Sequence, residues 1–183
     1  MNSFEEVSKH LLEIDGYWVK ASVRVDISPE DKKRLEKPSM PRPEIDLVAF
    51  KPLENTLFLI ECKSYFDSAG VVYENLYTRN LEKDRYKILT WGEYQKVVSE
   101  TLKLDFVDHG LINSSTKIGF GLIAGKIKNG DEESIRKLAK ERDWKFWGPN
   151  ELYKLAKKMS RDGYADNPYH ILAKIIFRHK SSD

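Results

Sequence analysis

Asp46, Glu61 and Lys63 are the residues whose types and spacing carry the most chemistry in this chain. Residues Glu44 to Phe50 and Thr56 to Lys63 both read as strands, and the intervening PLEN is a turn of hairpin spacing. Side chains two apart on a strand share a face, so Glu44, Asp46 and Val48 are expected on one face and Ile45 and Leu47 on the other. Leu59, Glu61 and Lys63 likewise share a face, which lets Asp46, Glu61 and Lys63 converge. Two carboxylates and an ammonium at the ends of strands rich in Leu, Ile and Phe repel one another and lose hydration. A divalent cation resolves that cost, and Mg²⁺ is commonly held by one or two carboxylates together with water and substrate phosphate. Lys63 would then orient or deprotonate an attacking water, or neutralise charge in the transition state.

The tripeptide acid-x-Lys carries nothing by itself, because it recurs at Glu30 to Lys32, Asp31 to Lys33 and Asp143 to Lys145. What distinguishes Glu61 and Lys63 is the buried strand before them and the acid on the neighbouring strand. A solvated ion-pair cluster on an edge strand remains the alternative reading of the same residues.

A third carboxylate sits on the first element. Phe4, Val7, Leu11, Leu12 and Ile14 form one stripe at helical period over residues 3 to 15, with Ser3 as the expected cap and Gly16 as the stop. Glu5 projects to the border of that stripe and so looks inward, whereas Glu6 and Glu13 lie opposite. The competing reading is that these glutamates only favour the helix N-terminus electrostatically.

The elements that must position these groups follow from the same patterns. Tyr17 to Val25 alternates as a half-buried strand, and SPEDKKRLEKPSMPRP, with four prolines and no period, reads as a loop. A helix is expected over about residues 91 to 106, and little else is legible between 65 and 116. KIGFGLIAG from Lys117 reads as a buried strand, the stretch from Asp131 as a helix, and WKFW as a short strand. A helix runs from Pro149 to Gly163, and a last amphipathic segment begins near Pro168. The expected fold is α/β, a mixed sheet flanked by helices, in the order helix, three strands, helix, strand, helix, strand, helix.

Composition bounds the classes. A chain of 183 residues, 40% hydrophobic, is expected to form one domain over 1–183, with a basic helical segment from about 149. With 31 basic and 29 acidic residues its net charge of +2 gives little long-range attraction to polyanions, so any basic surface must be local. One cysteine, Cys62, excludes an intrachain disulfide and a cysteine-rich zinc site; it reads as a small buried residue in a reducing, cytoplasmic protein. No apolar run approaches the roughly 20 residues of a membrane span.

Other constellations fall away. Gly119, Gly121, Gly125 and Lys126 do not have phosphate-loop spacing, and Ile127 stands where a hydroxyl would be needed. His10, His109, His170 and His179 are scattered without i, i+4 pairing. From Glu151 onward Lys154, Lys157, Lys158, Arg161, Lys174, Arg178 and Lys180 interleave with Tyr153, Tyr164 and Tyr169, a surface for phosphates or equally a solvated helix face. The loop cations Lys32, Lys33, Arg34, Lys37 and Arg42 precede the Asp46 strand but are interrupted by acids.

FEEVSKHLLEIDGYWV, EIDLVAF and FLIECKS, in that order, resemble the PD-(D/E)xK nuclease superfamily with its restriction-endonuclease-like fold. Within it the chain is similar to the Mrr-type catalytic domain, through GFGLIAG and through Gly148, Glu151 and Leu152. Residues 3–64 and 117–158 carry the likeness. It departs in having Ile45 where a proline is usual, and Glu61 resembles the resolvase form where the Mrr type often has glutamine. The resemblance implies Asp46 and Glu61 as metal ligands, Lys63 as catalytic lysine, Glu5 as helix acid, and Gln95 as either an auxiliary residue or plain surface. It implies a Mg²⁺-dependent endodeoxyribonuclease, with Mn²⁺ able to substitute, acting on DNA alone or as a homodimer. A binding or assembly protein that keeps the fold without turnover, or one whose partner is RNA, is the competing expectation.

Overall fold

In a computed structural model of the chain, residues 2–79, 84–163 and 165–178 are described; Tyr164, His179 and Lys180 lie outside them. Helix α1 spans Ser3–Ile14 and buries Leu11 and Leu12. Its cap is Asn2 rather than the expected Ser3. The Asn2 side-chain oxygen accepts from the N–H of Phe4 and of Glu5, at 2.9 and 3.0 Å, while Glu5 accepts from the Asn2 N–H at 3.0 Å. That reciprocal box satisfies N–H groups a helix otherwise leaves without partners, and it makes Ser3 the first helical residue.

Strand β1 (Trp18–Arg24) follows, and then a short helix α2 (Pro29–Arg34) where a loop was expected. Ser28 caps it, accepting from the Asp31 N–H at 3.0 Å, and Pro29 occupies the first turn, where a missing N–H costs nothing. Strands β2 (Glu44–Lys51) and β3 (Thr56–Lys63) form the expected hairpin through a 3₁₀ turn at Pro52–Glu54 and Asn55 at φ 45°. Helices α3 (Tyr73–Tyr77), α4 (Lys87–Thr90) and α5 (Gly92–Asp108) fill the middle of the chain. Then come β4 (Lys117–Ala124), α6 (Glu132–Glu141), β5 (Trp144–Trp147), α7 (Pro149–Arg161) and α8 (Pro168–Arg178).

The five strands make one sheet in sequence order. β1, β2 and β3 pair antiparallel, whereas β3–β4 and β4–β5 are parallel, because helices carry the chain back before each later strand. The chain is therefore α/β, a mixed sheet with helices on both faces, as the pattern of elements implied. On one face Leu57, Leu59 and Leu122 pack with Ile88, Leu89, Val97, Leu102 and Ile135 from α4, α5 and α6. On the other, Leu47, Phe58, Ile60 and Ile123 pack with Leu12 of α1 and Trp147, with Leu152 and Leu155 of α7 alongside. α8 closes over α1 and α7 through Ala173 and leaves Ile171, Leu172, Ile175 and Ile176 exposed.

Gly119 and Gly121 are packing residues, as their spacing suggested. A Cβ on Gly119 would lie 2.5 Å from the Phe58 ring, and one on Gly121 2.9 Å from Trp147. Among the described residues no helix is long and apolar enough to cross a membrane.

Candidate active site

The carboxylates meet where the β2–β3 ladder ends. Its last pair is Leu47 with Ile60, so Asp46 and Glu61 face each other beyond the regular hydrogen bonding. The Asp46 side chain takes over that role: its Oδ2 accepts from the Cys62 N–H at 2.8 Å. A strand edge that would have lost a backbone bond keeps it through a carboxylate, which also fixes where Asp46 points.

Strict alternation does not hold at Asp46. Ile45 packs with Val48 on the α4–α5 face, while Leu47 and Ala49 pack on the α1 face. β1 makes the same switch, since Ala21 lies with Leu47 and Val23 with Ile45. Between them stands Ser22 at φ 51°, opposite Asp46, and that left-handed residue turns the strand over without changing register. The expected grouping of Asp46 with Val48, and of Ile45 with Leu47, is thus wrong. Asp46 sits at the inflection, and its charge is felt by Glu61 on one side of the sheet and by Glu5 on the other.

Glu61 and Lys63 keep the expected face and form an ion pair, with side chains only 17% and 16% exposed. Burial, with Asp46 adding to it, pushes the Glu61 carboxyl up to about 7, against the pull of Lys63. Burial alone would lower Lys63, but the Glu61 carboxylate beside it holds the ammonium above its ordinary value. The Lys63 Nζ also lies 5.7 Å from the centre of the Tyr86 ring. One oxygen of Asp46 accepts from the Cys62 N–H and one of Glu61 pairs with Lys63, and the two carboxyl groups share a hydrogen bond that helps to raise Glu61.

A stability slope follows from Glu61. The unfolded carboxyl titrates near 4.5 and the native one near 7, so between those values the native state binds more protons and its stability falls as pH rises. Melting temperatures measured from pH 5 to 8 are expected to fall more steeply for the wild type than for Glu61→Gln. Parallel curves would show that Glu61 titrates normally.

Glu5 is buried at 8% exposure, as the helical projection implied, but its carboxylate is engaged in the α1 capping box with Asn2. Burial and the nearby Asp46 raise its pKa against the opposing Asn2 hydrogen bond. One side chain thus both looks inward, as expected, and closes the capping box, a role not assigned to it from the sequence.

Two carboxyl groups close enough to share a hydrogen bond suit a hard divalent cation, which would take the place of the shared proton and draw its remaining ligands from water and substrate. Among the described residues no third His, Cys, Asp or Glu joins them closely enough to complete a metal cage.

The rest of the site's wall was not legible beforehand. A cleft of about 210 Å³ beside Glu61 is lined by Arg42, Glu44, Asp84, Arg85, Lys87 and Tyr94, among others. A second, of about 390 Å³, is lined by Asn2, Cys62, Lys63, Ser64, Tyr65 and Arg85. Arg42 is the loop cation that reaches the site; Arg34 instead pairs with Glu93 at 2.9 Å. Tyr94 falls in the expected middle helix, whereas Asp84, Arg85 and Lys87 lie before and at the start of α4, a helix of four residues, too short for a period to show.

Other candidates resolve as structure. Gln95 donates to the Ile88 carbonyl at 2.9 Å and ties α5 to α4. Cys62 is 6% exposed, and burial pushes its thiol up. His10 pairs with Glu13 and His109 with Asp105, on separate helices. The C-terminal cations are partly spent: Lys158, Lys174 and Arg178 donate to the carbonyls of Ile14, Gly163 and Ser160. Glu151, accepting from the Gly148 N–H at 3.0 Å, caps α7 and pairs with Arg136 at 3.0 Å.

No family model matches the chain, and no curated protein is detectably similar to it. Among solved structures, a crystal structure described as a protein of unknown function, AF1548, is similar at 18% identity and a TM-score of 0.39. That match takes in 84% of this chain and 66% of the other, so this chain spans just under two thirds of its length. A likeness at that level says nothing about what either chain does.

Proposed function

We propose that the chain is a divalent-cation-dependent nuclease that hydrolyses phosphodiester bonds in DNA. The observation that supports this best is the meeting of Asp46, Glu61 and Lys63 at the open end of the β2–β3 hairpin. Asp46 and Glu61 would hold Mg²⁺, or Mn²⁺ in its place. When bound, that ion lowers the pKa of a water and draws charge from the phosphoryl oxygens. Lys63, held protonated by Glu61, orients the attacking water and faces the charge that builds on the phosphate. Glu5 keeps α1 seated against this centre through its cap and adds to the field at Asp46. A protein that only bound nucleic acid would gain nothing from two half-buried acids facing a polyanion.

The test is incubation of the wild type and Asp46→Asn with supercoiled plasmid, a four-way junction and single-stranded DNA, in Mg²⁺, Mn²⁺ or EDTA. Metal-dependent cleavage is expected from the wild type and at least about 10²-fold less from the variant. Asn can still accept from the Cys62 N–H and removes the repulsion with Glu61, so the variant is expected to melt at or above the wild-type temperature. Equal cleavage by both proteins, or none by either while both bind DNA, would sink the proposal.

A further inference from the structure

Two residues, Tyr65 and Arg85, stand beside the ion pair without belonging to it; the Tyr65 ring packs against the core, and its hydroxyl hydrogen-bonds the Tyr86 side chain. Tyr65, just past the end of β3, has φ 49°, a conformation that is strained for a bulky L-residue and persists only where surroundings enforce it. They do so here on every side. The Gly125 N–H donates to the Lys63 carbonyl at 2.8 Å, the Ser68 N–H to the Tyr65 carbonyl at 3.1 Å, and the Lys126 ammonium to the Phe66 carbonyl at 3.2 Å. A Cβ on Gly125 would lie 2.8 Å from the Ser64 carbonyl oxygen, so the turn also depends on that close approach. Glycine or asparagine would take this backbone at lower cost; the chain places a phenol there instead.

The turn aims that phenol at Arg85. The Arg85 guanidinium lies 3.5 Å from the Tyr65 hydroxyl, and no carboxylate pairs with Arg85 among the described residues. Arg85 is exposed, lines both clefts that flank the carboxylates, and has most of its five donors uncommitted. The clefts differ in balance. The one beside Glu61 sets Glu44, Glu61 and Asp84 against Arg42, Arg85 and Lys87, whereas the one beside Lys63, walled by Asn2, Cys62, Lys63, Ser64, Tyr65 and Arg85, contains no acid. Lys63 is already paired with Glu61, so the uncompensated charge of that second cleft is supplied by Arg85.

We propose that this acid-free cleft seats a backbone phosphate of the nucleic acid next to the one at the carboxylates, gripped by the Arg85 guanidinium and the Tyr65 hydroxyl. The proposal rests on the site's being one that handles phosphodiesters, and it lays the strand over Lys63 and Tyr65, where no acid lines the wall. Guanidinium geometry matches two phosphate oxygens at once, and the phenol adds a neutral donor beside it.

The experiment is binding of fluorescein-labelled single-stranded and duplex oligonucleotides in EDTA, over a series of salt concentrations, with cleavage in Mg²⁺ assayed separately. Arg85→Ala is expected to bind about tenfold more weakly and to lose about 0.7 to 0.9 of the slope of log K against log salt, the signature of one phosphate contact. Arg85→Lys should recover the slope but not the full affinity, and Tyr65→Phe should weaken binding a few-fold with the slope intact. Lys137→Ala, altering an 80% exposed cation on α6, should bind as the wild type does. An unchanged slope in Arg85→Ala overturns the inference, as does an equal loss in Lys137→Ala. If the wild type never cleaves but Arg85→Ala still loses its share of slope, the phosphate seat stands and the nuclease reading fails. If cleavage is robust and the slope does not move, the seat alone is wrong.

Discussion

Lys63→Met is expected to lower metal-dependent cleavage by about 10²- to 10⁴-fold, the range spanned by a positioned proton-transfer group or a preorganised charge. The substitution keeps the length of the apolar stem that runs beside Tyr86 and removes only the ammonium. It also leaves Glu61 buried without its partner, and breaking a buried pair is destabilising. Glu61 can limit that cost by taking a proton, since burial already holds its carboxyl near 7. The loss of melting temperature should therefore be larger at pH 8 than at pH 6. The pair Glu61→Gln with Lys63→Met separates the two roles of the lysine. Its stability is expected to recover toward wild type, because neither side chain then carries a charge, while cleavage stays lost. If the single variant cleaves within about threefold of wild type at a temperature where it is folded, Lys63 takes no part in the chemistry.

The second large effect is expected in the core, two residues before Glu61 on the same strand. Leu59 is fully buried in the middle of β3, between Val48 and Phe120 on its neighbours, and shares a face with Glu61 and Lys63. Leu59→Ala should cost about 2–5 kcal/mol, as the transfer term and the cavity left behind add. For a chain of this size a loss of about 3 kcal/mol lowers the melting temperature by roughly 6–12 °C. Leu53, 96% exposed in the hairpin turn, is the matched control: Leu53→Ala should melt with the wild type. Thermal unfolding followed by circular dichroism decides both. Equal melting of the two variants would mean that β3 is not the centre of the core.

What could be read from the sequence follows from how far each signal extends. α1, α5, α6, α7 and the five strands run long enough, or alternate cleanly enough, for periodicity to reveal them, and the pairing of Glu61 with Lys63 followed from position alone. α2 was masked by its prolines, although Ser28 before Pro29 is a start signal in its own right. α3 and α4, five and four residues long, are shorter than the period needed to recognise them. The face of Ile45 was misjudged because a period-two rule assumes every residue extended, and one left-handed residue on the neighbouring strand, Ser22, suffices to break it. Arg85 and Tyr65 escaped notice because their importance lies in a fold-back that brings a turn after β3 beside the start of α4, a relation between distant segments that composition does not encode.

The change of strand direction across the sheet sets an order of assembly. β2 and β3 are joined by the tight turn over residues 52–55 and paired antiparallel, so both carboxylates and the lysine can come together from local contacts while the rest of the chain is still unformed. β4 must wait for everything from Ser64 to Thr116 to be gathered before it can lie parallel to β3. A nascent or partly folded chain would thus hold the charged cluster with its Tyr86 and Arg85 wall missing, open to water on the side that the finished protein covers. Hydrogen exchange during refolding should show protection of β2 and β3 before β4, and the cleavage proposed above should return only with the slower phase.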